Sequence, residues 1–441
     1  MGRLWGGSAV LVPALSHHSP DLHRLLCVAG QRRRCGRTWA TGIGPHYRNL
    51  EAPALIVEFI FWIAFALLVY TYAIYPAVAV IIGAGRVEQA SDELPAVSVL
   101  VPAHNEAGVI AAKVENFRSL DYPSDLIELV IADDGSTDGT ADLVRSLEDE
   151  RVHLVDLGTR AGKASAMNRL VGSAKHPLIL FSDANVMFAS SAVRRLVDHL
   201  AMDAVGAVTG EVRLVDSGQE FGAGEQLYYW FERRIQGAES RLASVMGVDG
   251  GMYIVRRELI PSLPANTILD DFAVSMHVMR SRRRVVYESA AKATESGTPS
   301  ARQEFSRRVR IAAGAVQLLK RGMVPRWNQP VLWLQFLSHK LLRWGSPLLF
   351  AALLLSNAAL LNDAPVYQVL FIAQLLVGVV MLAAWKLAPL RQTAVGAVMF
   401  YFGISQVAMG LGLMRGMLDR QTATWERGER ALSRTSDPVR Q

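Results

Sequence analysis

The sequence predicts an α/β domain with a Rossmann-like, mostly parallel sheet, attached to transmembrane α-helices. Three observations predict it. Between residues 95 and 300, strand-like apolar runs alternate with stretches at helical spacing, an order that packs as a parallel sheet covered by helices. Uncharged apolar blocks about a bilayer long flank that region. The chain is 51% hydrophobic with mean hydropathy +0.21, and the surplus sits in those blocks rather than in a richer core.

Residues 1–53 differ from the rest. Arg32, Arg33, Arg34 and Arg37 cluster there, and the apolar piece Ala9 to Leu15 contains Pro13 and is too short to span a bilayer. The basic residues mostly follow that piece, so no signal peptide is expected there, and a disordered extension is. Cys27 and Cys35 are the chain's 2 cysteines, which leaves no disulfide framework and no Cys-based zinc site in the remainder. Residues 54–84 form the first expected transmembrane helix, with Trp62, Tyr70, Tyr72 and Tyr75 as interface anchors.

Within residues 95–300, "VSVLVPA" (97–103), "IELVIADD" (127–134), "VHLVDL" (152–157) and "PLILFSD" (177–183) read as strands. "AGVIAAKVENFRSL", "TADLVRSLED" and "KASAMNRLVGSA" are the intervening helices. Ligands meet such sheets beyond the C-terminal strand ends. His104, Asp133, Asp134 and Asp183 fall there. Residues 301–343 are expected to be basic and interfacial amphipathic helices, because "PVLWLQFLSHKLLRW" carries His339, Lys340 and Arg343. Residues 344–416 hold about three further transmembrane helices, and 417–441 form a basic tail. The positive-inside rule places "KLAPLR" (386–391) and the arginine-rich tail on the cytoplasmic side. Three crossings after a cytoplasmic domain would instead leave the tail outside. Either one block is re-entrant or the interfacial segment also crosses.

Net charge is +6 with pI about 9.4. No basic stripe is interleaved with aromatics, which argues against a nucleic-acid partner. A lipid bilayer and a phosphorylated substrate remain as partners.

Each candidate motif has an ordinary structural reading as well as a chemical one. "VPAHNE" (101–106) ends a strand and offers an N-cap at Asn105. In "ADDGSTDGT" (132–140), a strand-end carboxylate can accept hydrogen bonds from a base or ribose. Its likeness to an EF-hand loop fails at Arg145, where a glutamate is required. "GTRAGKAS" approaches a phosphate-binding loop but has Ala164 after Lys163. "SDAN" (182–185) is an Asx turn, or a pair of oxygens for Mg²⁺ or Mn²⁺ at Asp183 and Asn185. Asp270 and Asp271 cap a helix, or supply a general base. Arg307 and Arg310, about one turn apart beside Arg308, face solvent or lipid, or neutralise a departing diphosphate. A dinucleotide-dependent oxidoreductase is excluded, because "PAHNEAG" lacks G-x-G-x-x-G.

Taken in order, these motifs resemble the membrane-bound family 2 glycosyltransferases, whose catalytic domain has the GT-A fold. Hyaluronan, chitin, cellulose and poly-N-acetylglucosamine synthases are relatives. The resemblance covers roughly residues 55–430. It implies donor binding by His104, Glu106, Asp133, Asp134, Lys163, Asn168 and Asp183. It implies metal binding by Asp183, with Asn185 departing from the second acid of a DxD motif. "GVDGGMYIVRR" (247–257) is similar to an acceptor-side loop, which brings in Asp249 and Gly250. Asp271 would be the catalytic base and Asp270 its neighbour. "RVRIAAG" stands where QxxRW usually lies, so Arg307 replaces Gln and Ile311 replaces Trp. The implied activity is inverting transfer from a nucleotide-sugar donor, UDP-linked, to a saccharide or lipid-linked acceptor, in the cell membrane with a cytoplasmic domain. The alternative is a catalytically impaired scaffold of the same fold.

Overall fold

The computed structural model describes residues 52–83, 94–215, 222–296 and 300–423. The expected extension up to residue 51, with Cys27 and Cys35, and the tail beyond 423 lie outside the described residues.

One sheet of 8 strands organises the α/β region. Its strands are β1 (Val97–Ala103), β2 (Ile127–Asp133), β3 (Val152–Asp156), β4 (Leu178–Ser182), β5 (Val186–Phe188), β6 (Val205–Val215), β7 (Met252–Arg256) and β8 (Arg284–Ser296). Their order is β3-β2-β1-β4-β7-β6-β8-β5. β1 pairs in parallel with β2 and β4, and β2 with β3. The sheet then turns antiparallel at β4–β7 and β7–β6, returning to parallel at β6–β8.

Alternation along β1 shows why both faces must be covered. Val97, Val99 and Val101 enter one core with Ile110, Val114 and Phe117, while Leu100 enters a second with Met167, Leu170 and Phe272. The first core is capped by helices α3 (Ala107–Arg118), α4 (Thr140–Ser146) and α6 (Ala192–Asp198), the second by α5 (Lys163–Ser173) and α8 (Asp270–Arg280).

Helices α1 (Ala52–Val69) and α2 (Tyr75–Ile82) are joined by a π turn over Tyr70–Ile74. After the long helices α7 (Gly222–Leu242) and α9 (Ala301–Lys320) come α10 (Pro330–Gln335), a π turn Phe336–Leu341 and α11 (Leu342–Ala359). Then follow α12 (Pro365–Lys386), α13 (Ala388–Arg391) and α14 (Ala394–Met417). The two π turns meet, with Tyr70 Oη 2.7 Å from Ser338 Oγ. Among the described residues, 4 helices are long and apolar enough to cross a membrane: Ala54–Ile82, Pro330–Ala359, Pro365–Lys386 and Ala394–Met417. The boundary expected at 343/344 is corrected: the interfacial stretch continues unbroken into the next apolar block. His339 and Arg343, which marked it as surface, are paired with Glu232 and Glu239 of α7.

Candidate active site

The C-terminal ends of β1, β2 and β4 gather the polar residues. At the end of β1, His104 Nδ1 lies 2.8 Å from the Asp134 carbonyl oxygen, which fixes the ring. Glu106 is buried at the start of α3. At the end of β2, Asp133 is buried, and its Oδ2 accepts from Ser136 N at 3.0 Å. Its Oδ1 has no hydrogen-bond partner among the described residues. A buried orphan acceptor normally has a partner to find.

Lys163, the first residue of α5, carries the centre of the cleft. Its ammonium donates to Asp183 Oδ1 at 2.9 Å and lies 3.7 Å from Asp270 Oδ2. Burial works to lower its pKa, but the carboxylates of Asp183 and Asp270 outweigh burial and raise it. Asp270 and Asp271 open α8, where the helix dipole favours acids. Burial first, and the Asp270 charge next, push the Asp271 carboxyl up to about 6, against Lys163 and Arg310. Gly250 lets the backbone approach the acid closely: a Cβ there would sit 3.2 Å from Asp271 Oδ2, tighter than ordinary contact. Asp249 is pushed up to about 7, mainly by burial, with the Gly251 N–H opposing and Glu295, Asp271 and Asp183 adding to the rise. A small cleft lies between Pro102, Lys163, Asp183, Gly250, Tyr253 and Asp270. Arg310 reaches the same region, donating to the Ile268 carbonyl at 3.2 Å.

Other candidates are engaged by the protein itself. The Asp134 carboxylate accepts from Ala161 N at 2.6 Å and Gly162 N at 2.9 Å, so it orders the loop leading into α5 instead of facing the cleft. The Asn168 amide clasps the backbone of Leu263 at 2.8 and 3.0 Å, pinning a distant loop to α5. Arg307 and Arg308 are engaged as well. Both bind the fully buried Glu304, at 2.8 and 2.7 Å, and they reach Tyr229 of α7 and Tyr401 of α14. Their charges are spent in that junction. Asn185 donates to Glu295 Oε1 at 3.1 Å, so its amide is tied to β8 and not to the Lys163–Asp183 pair.

Two residues were overlooked in the sequence. Lys113 is buried behind the Asp183 turn, donating to Ser182 Oγ at 2.8 Å and to the Val186 carbonyl, over the Phe188 ring. Burial lowers its pKa to about 7, with Asp183 opposing. The signal was present: Lys113 shares the helical stripe of Ile110, Val114 and Phe117, where an apolar residue belongs. Glu304 stands three and four residues before the arginines it binds, the spacing of helical ion pairs.

Strand-end carboxylates, a cleft lysine and an acid beside a close-approaching glycine, on a sheet that turns antiparallel after β4, define a GT-A fold. Residues 98–263 match the family "Glycosyl transferase family 2", and the chain carries a domain of that family. The chain is similar to the beta-monoglucosyldiacylglycerol synthase of Nostoc sp., at 28% identity over 236 residues, covering 51% of this chain and 50% of that protein. It is also similar to the poly-beta-1,6-N-acetyl-D-glucosamine synthase of Staphylococcus aureus, at 25% identity over 236 residues, covering 52% of this chain and 57% of that protein. The chain thus spans about half the length of these relatives. In fold it is similar to the mannosyltransferase PcManGT from Pyrobaculum calidifontis, solved with GDP-Man and Mn²⁺. The TM-score is 0.66 at 23% identity, covering 83% of this chain and 100% of that one.

Proposed function

We propose that this chain is an integral-membrane, inverting glycosyltransferase that moves a sugar from a nucleotide diphosphate donor, UDP-linked, to a hydroxyl of a saccharide or lipid-linked acceptor. The observation that carries the reading is Asp271: a carboxyl raised to about 6, set against Gly250 and next to the Lys163–Asp183 pair. A base near that value is ionised at neutral pH yet still accepts a proton. The acceptor O–H gives its proton to Asp271. The oxygen forms a bond to the anomeric carbon from the side opposite the diphosphate, the C–O bond to the diphosphate breaks, and its electron pair leaves with the phosphate. One displacement inverts the anomeric centre. Lys163 and Arg310 supply positive charge beside the leaving group. The free Oδ1 of Asp133 suits a donor on the nucleoside.

A divalent ion, Mg²⁺ or Mn²⁺, fits only as one shared with the donor. Among the described residues no group of three His, Cys, Asp or Glu side chains is placed to hold a metal. Asp183, whose carboxylate is met by the Lys163 cation, can offer one ligand while diphosphate oxygens complete the shell. Such an ion would neutralise charge developing on the leaving diphosphate.

The relatives' names include both a glycolipid and a polysaccharide synthase, so either biosynthetic role suits the chain. The catalytic domain is placed in the cytoplasm, where nucleotide sugars are, and the helices in the cell membrane. Ile311 packs into the second core where related synthases carry Trp, which favours short products. A panel of nucleotide sugars with Mn²⁺, scored for UDP or GDP release, tests the reading. No turnover with any donor would leave a non-catalytic scaffold, and product length on a gel separates single transfer from polymerisation.

A further inference from the structure

We propose that Tyr253 determines sugar specificity: its phenol O–H donates to one hydroxyl of the sugar that the donor carries, and that hydroxyl donates in turn to Asp270. This rests on the transferase reading and gives the site a residue which that reading does not use.

Side chains along β7 alternate, so Met252 and Ile254 enter the first core while Tyr253 and Val255 enter the second. Tyr253 stands opposite Phe181 of β4, and the two rings stack with centroids 5.0 Å apart. The stack ends at the cleft, where Tyr253 forms one wall with Lys163, Asp183, Gly250 and Asp270. Phenylalanine would fill the packing role of this ring, so the hydroxyl needs a reason of its own. Tyr253 is 1% exposed, and its Oη has no hydrogen-bond partner among the described residues. The other buried tyrosines have one. Tyr75 donates to Glu239, Tyr122 to the Pro95 carbonyl, Tyr367 to Glu58 at 2.6 Å and Tyr401 to Glu304 at 3.4 Å. A buried hydroxyl left without a partner costs stability, and its persistence beside a cleft points to a partner that arrives there.

The surrounding charge fixes which way the bond runs. Burial first, then Asp270, Asp271 and Asp183, hold the phenol well above its ordinary pKa, so it keeps its proton and is a donor. Asp270 is the complementary group. It opens α8, lines the same cleft, and meets Lys163 at 3.7 Å, longer than a hydrogen bond. A donor at Tyr253 and an acceptor at Asp270 therefore share one cleft, and the Tyr253 hydroxyl is not bonded to that carboxylate. A phosphate oxygen would accept from Tyr253 but repel Asp270. An ammonium would suit Asp270 but cannot accept from the phenol. A hydroxyl does both through one oxygen. The diphosphate is drawn to Lys163 and, through a shared ion, to Asp183, which leaves the sugar as the part of the donor beside Asp270. Lys163 is the long, flexible side chain of this cleft, shared between Asp183 and Asp270. A diphosphate that takes its ammonium releases Asp270 and lets a sugar hydroxyl reach the phenol. A site built to hydrogen-bond one hydroxyl strongly rejects the analogue that lacks it, so this pair selects among sugars.

The test compares the full chain with Tyr253→Phe, which removes one atom and keeps the ring on Phe181. Both are purified in detergent and titrated calorimetrically with Mn²⁺ present. UDP-glucose and GDP-mannose are the probes, with UDP and GDP as sugar-free controls. The variant should bind a sugar nucleotide about tenfold more weakly and the free diphosphates as the native chain does. Among the 2-, 3-, 4- and 6-deoxy forms of that sugar nucleotide, one should bind native chain and variant equally, because it lacks the hydroxyl that Tyr253 meets. Without ligand the variant should unfold at no lower a temperature than the native chain. Equal weakening of sugar nucleotide and free diphosphate, no weakening of either, or the same loss with every deoxy form overturns the proposal. A lower unfolding temperature shows that the hydroxyl already has a partner inside the protein, and overturns it too. Release of UDP or GDP by the native chain is scored separately: if none is released the transferase reading falls, while the binding comparison still decides the Tyr253 contact.

Discussion

Replacing Asp271 with Asn separates what this carboxyl does for the reaction from what it costs the fold. Its pKa is displaced from 3.8 to about 6. At about 1.4 kcal/mol per pH unit that is about 3 kcal/mol, and about 2 kcal/mol after the screening a half-buried carboxyl receives. Because the folded-state value lies above the unfolded one, the stability held below about pH 4 is lost as pH rises through about 6, and the full penalty applies beyond it. Asn keeps the shape and can still accept from Phe272 N, a 2.7 Å bond in the native chain, but it never ionises. The variant should therefore unfold at a higher temperature than the native chain at pH 8, with the gap closing below pH 4.5. Its transfer rate should fall about 10²- to 10⁴-fold. Thermal unfolding of purified protein across pH 4–8, with donor turnover at each pH, measures both. A variant no more stable at pH 8, or one that turns over at the native rate, refutes the assignment of Asp271 as a buried base.

Residues engaged within the protein make contrasting predictions. Asn168→Ala leaves the Leu263 backbone unpaired and should cost about 1–3 kcal/mol in unfolding, with donor affinity in the folded protein unchanged. A selective loss of donor binding would return Asn168 to the donor site. Glu304→Ala strands Arg307 and Arg308 at the α7–α9–α14 junction and should cost about 3–5 kcal/mol, read as a lower unfolding temperature, with Glu304→Gln milder. Unaltered stability would show that the arginines have other partners. Lys113→Met removes both bonds that hold the turn carrying Asp183, so donor affinity should fall about tenfold, or ~1.4 kcal/mol, by calorimetric titration. Unchanged affinity would make Lys113 a packing residue. Chelation of divalent ions should abolish donor binding, and restoring Mn²⁺ should recover it; binding that survives the chelator refutes a shared ion.

β2 and β4 were legible because central strands of a parallel sheet are buried on both faces and carry apolar runs, as "LVIA" and "LILF" show. The ends of β1, β2 and β4 located His104, Asp133, Asp134 and Asp183 without further help. β6, β7 and β8 were harder to read. β6 is interrupted by Gly206 and Gly210, which admit Leu259 and the Met252 side chain. The use made of a carboxylate or amide was illegible wherever its partner is far along the chain. Asp134 looks free until the fold brings Ala161 and Gly162 to it, and Asn168 until Leu263 arrives. Glu304 was different, since its partners are one helical turn away.

The charge of the cleft explains why so few of these residues can do the same job. Asp183, Asp249, Asp270 and Asp271 converge, with Lys163 and Arg310 as the cations that act on them. Acids outnumber bases there, so burial and mutual repulsion push Asp249 and Asp271 upward. A diphosphate entering such a cleft meets repulsion unless positive charge comes with it. Lys163 is already committed to Asp183, and Arg307 and Arg308, the nearest further arginines in the chain, are locked to Glu304. An amide at Asn185 is consistent with this balance. A second acid there would face Glu295 across the 3.1 Å now bridged by the Asn185 amide, adding repulsion where the chain has a hydrogen bond. The neutral residue keeps that hydrogen bond, and on the proposed reading an ion would be held by Asp183 and the donor's own phosphates.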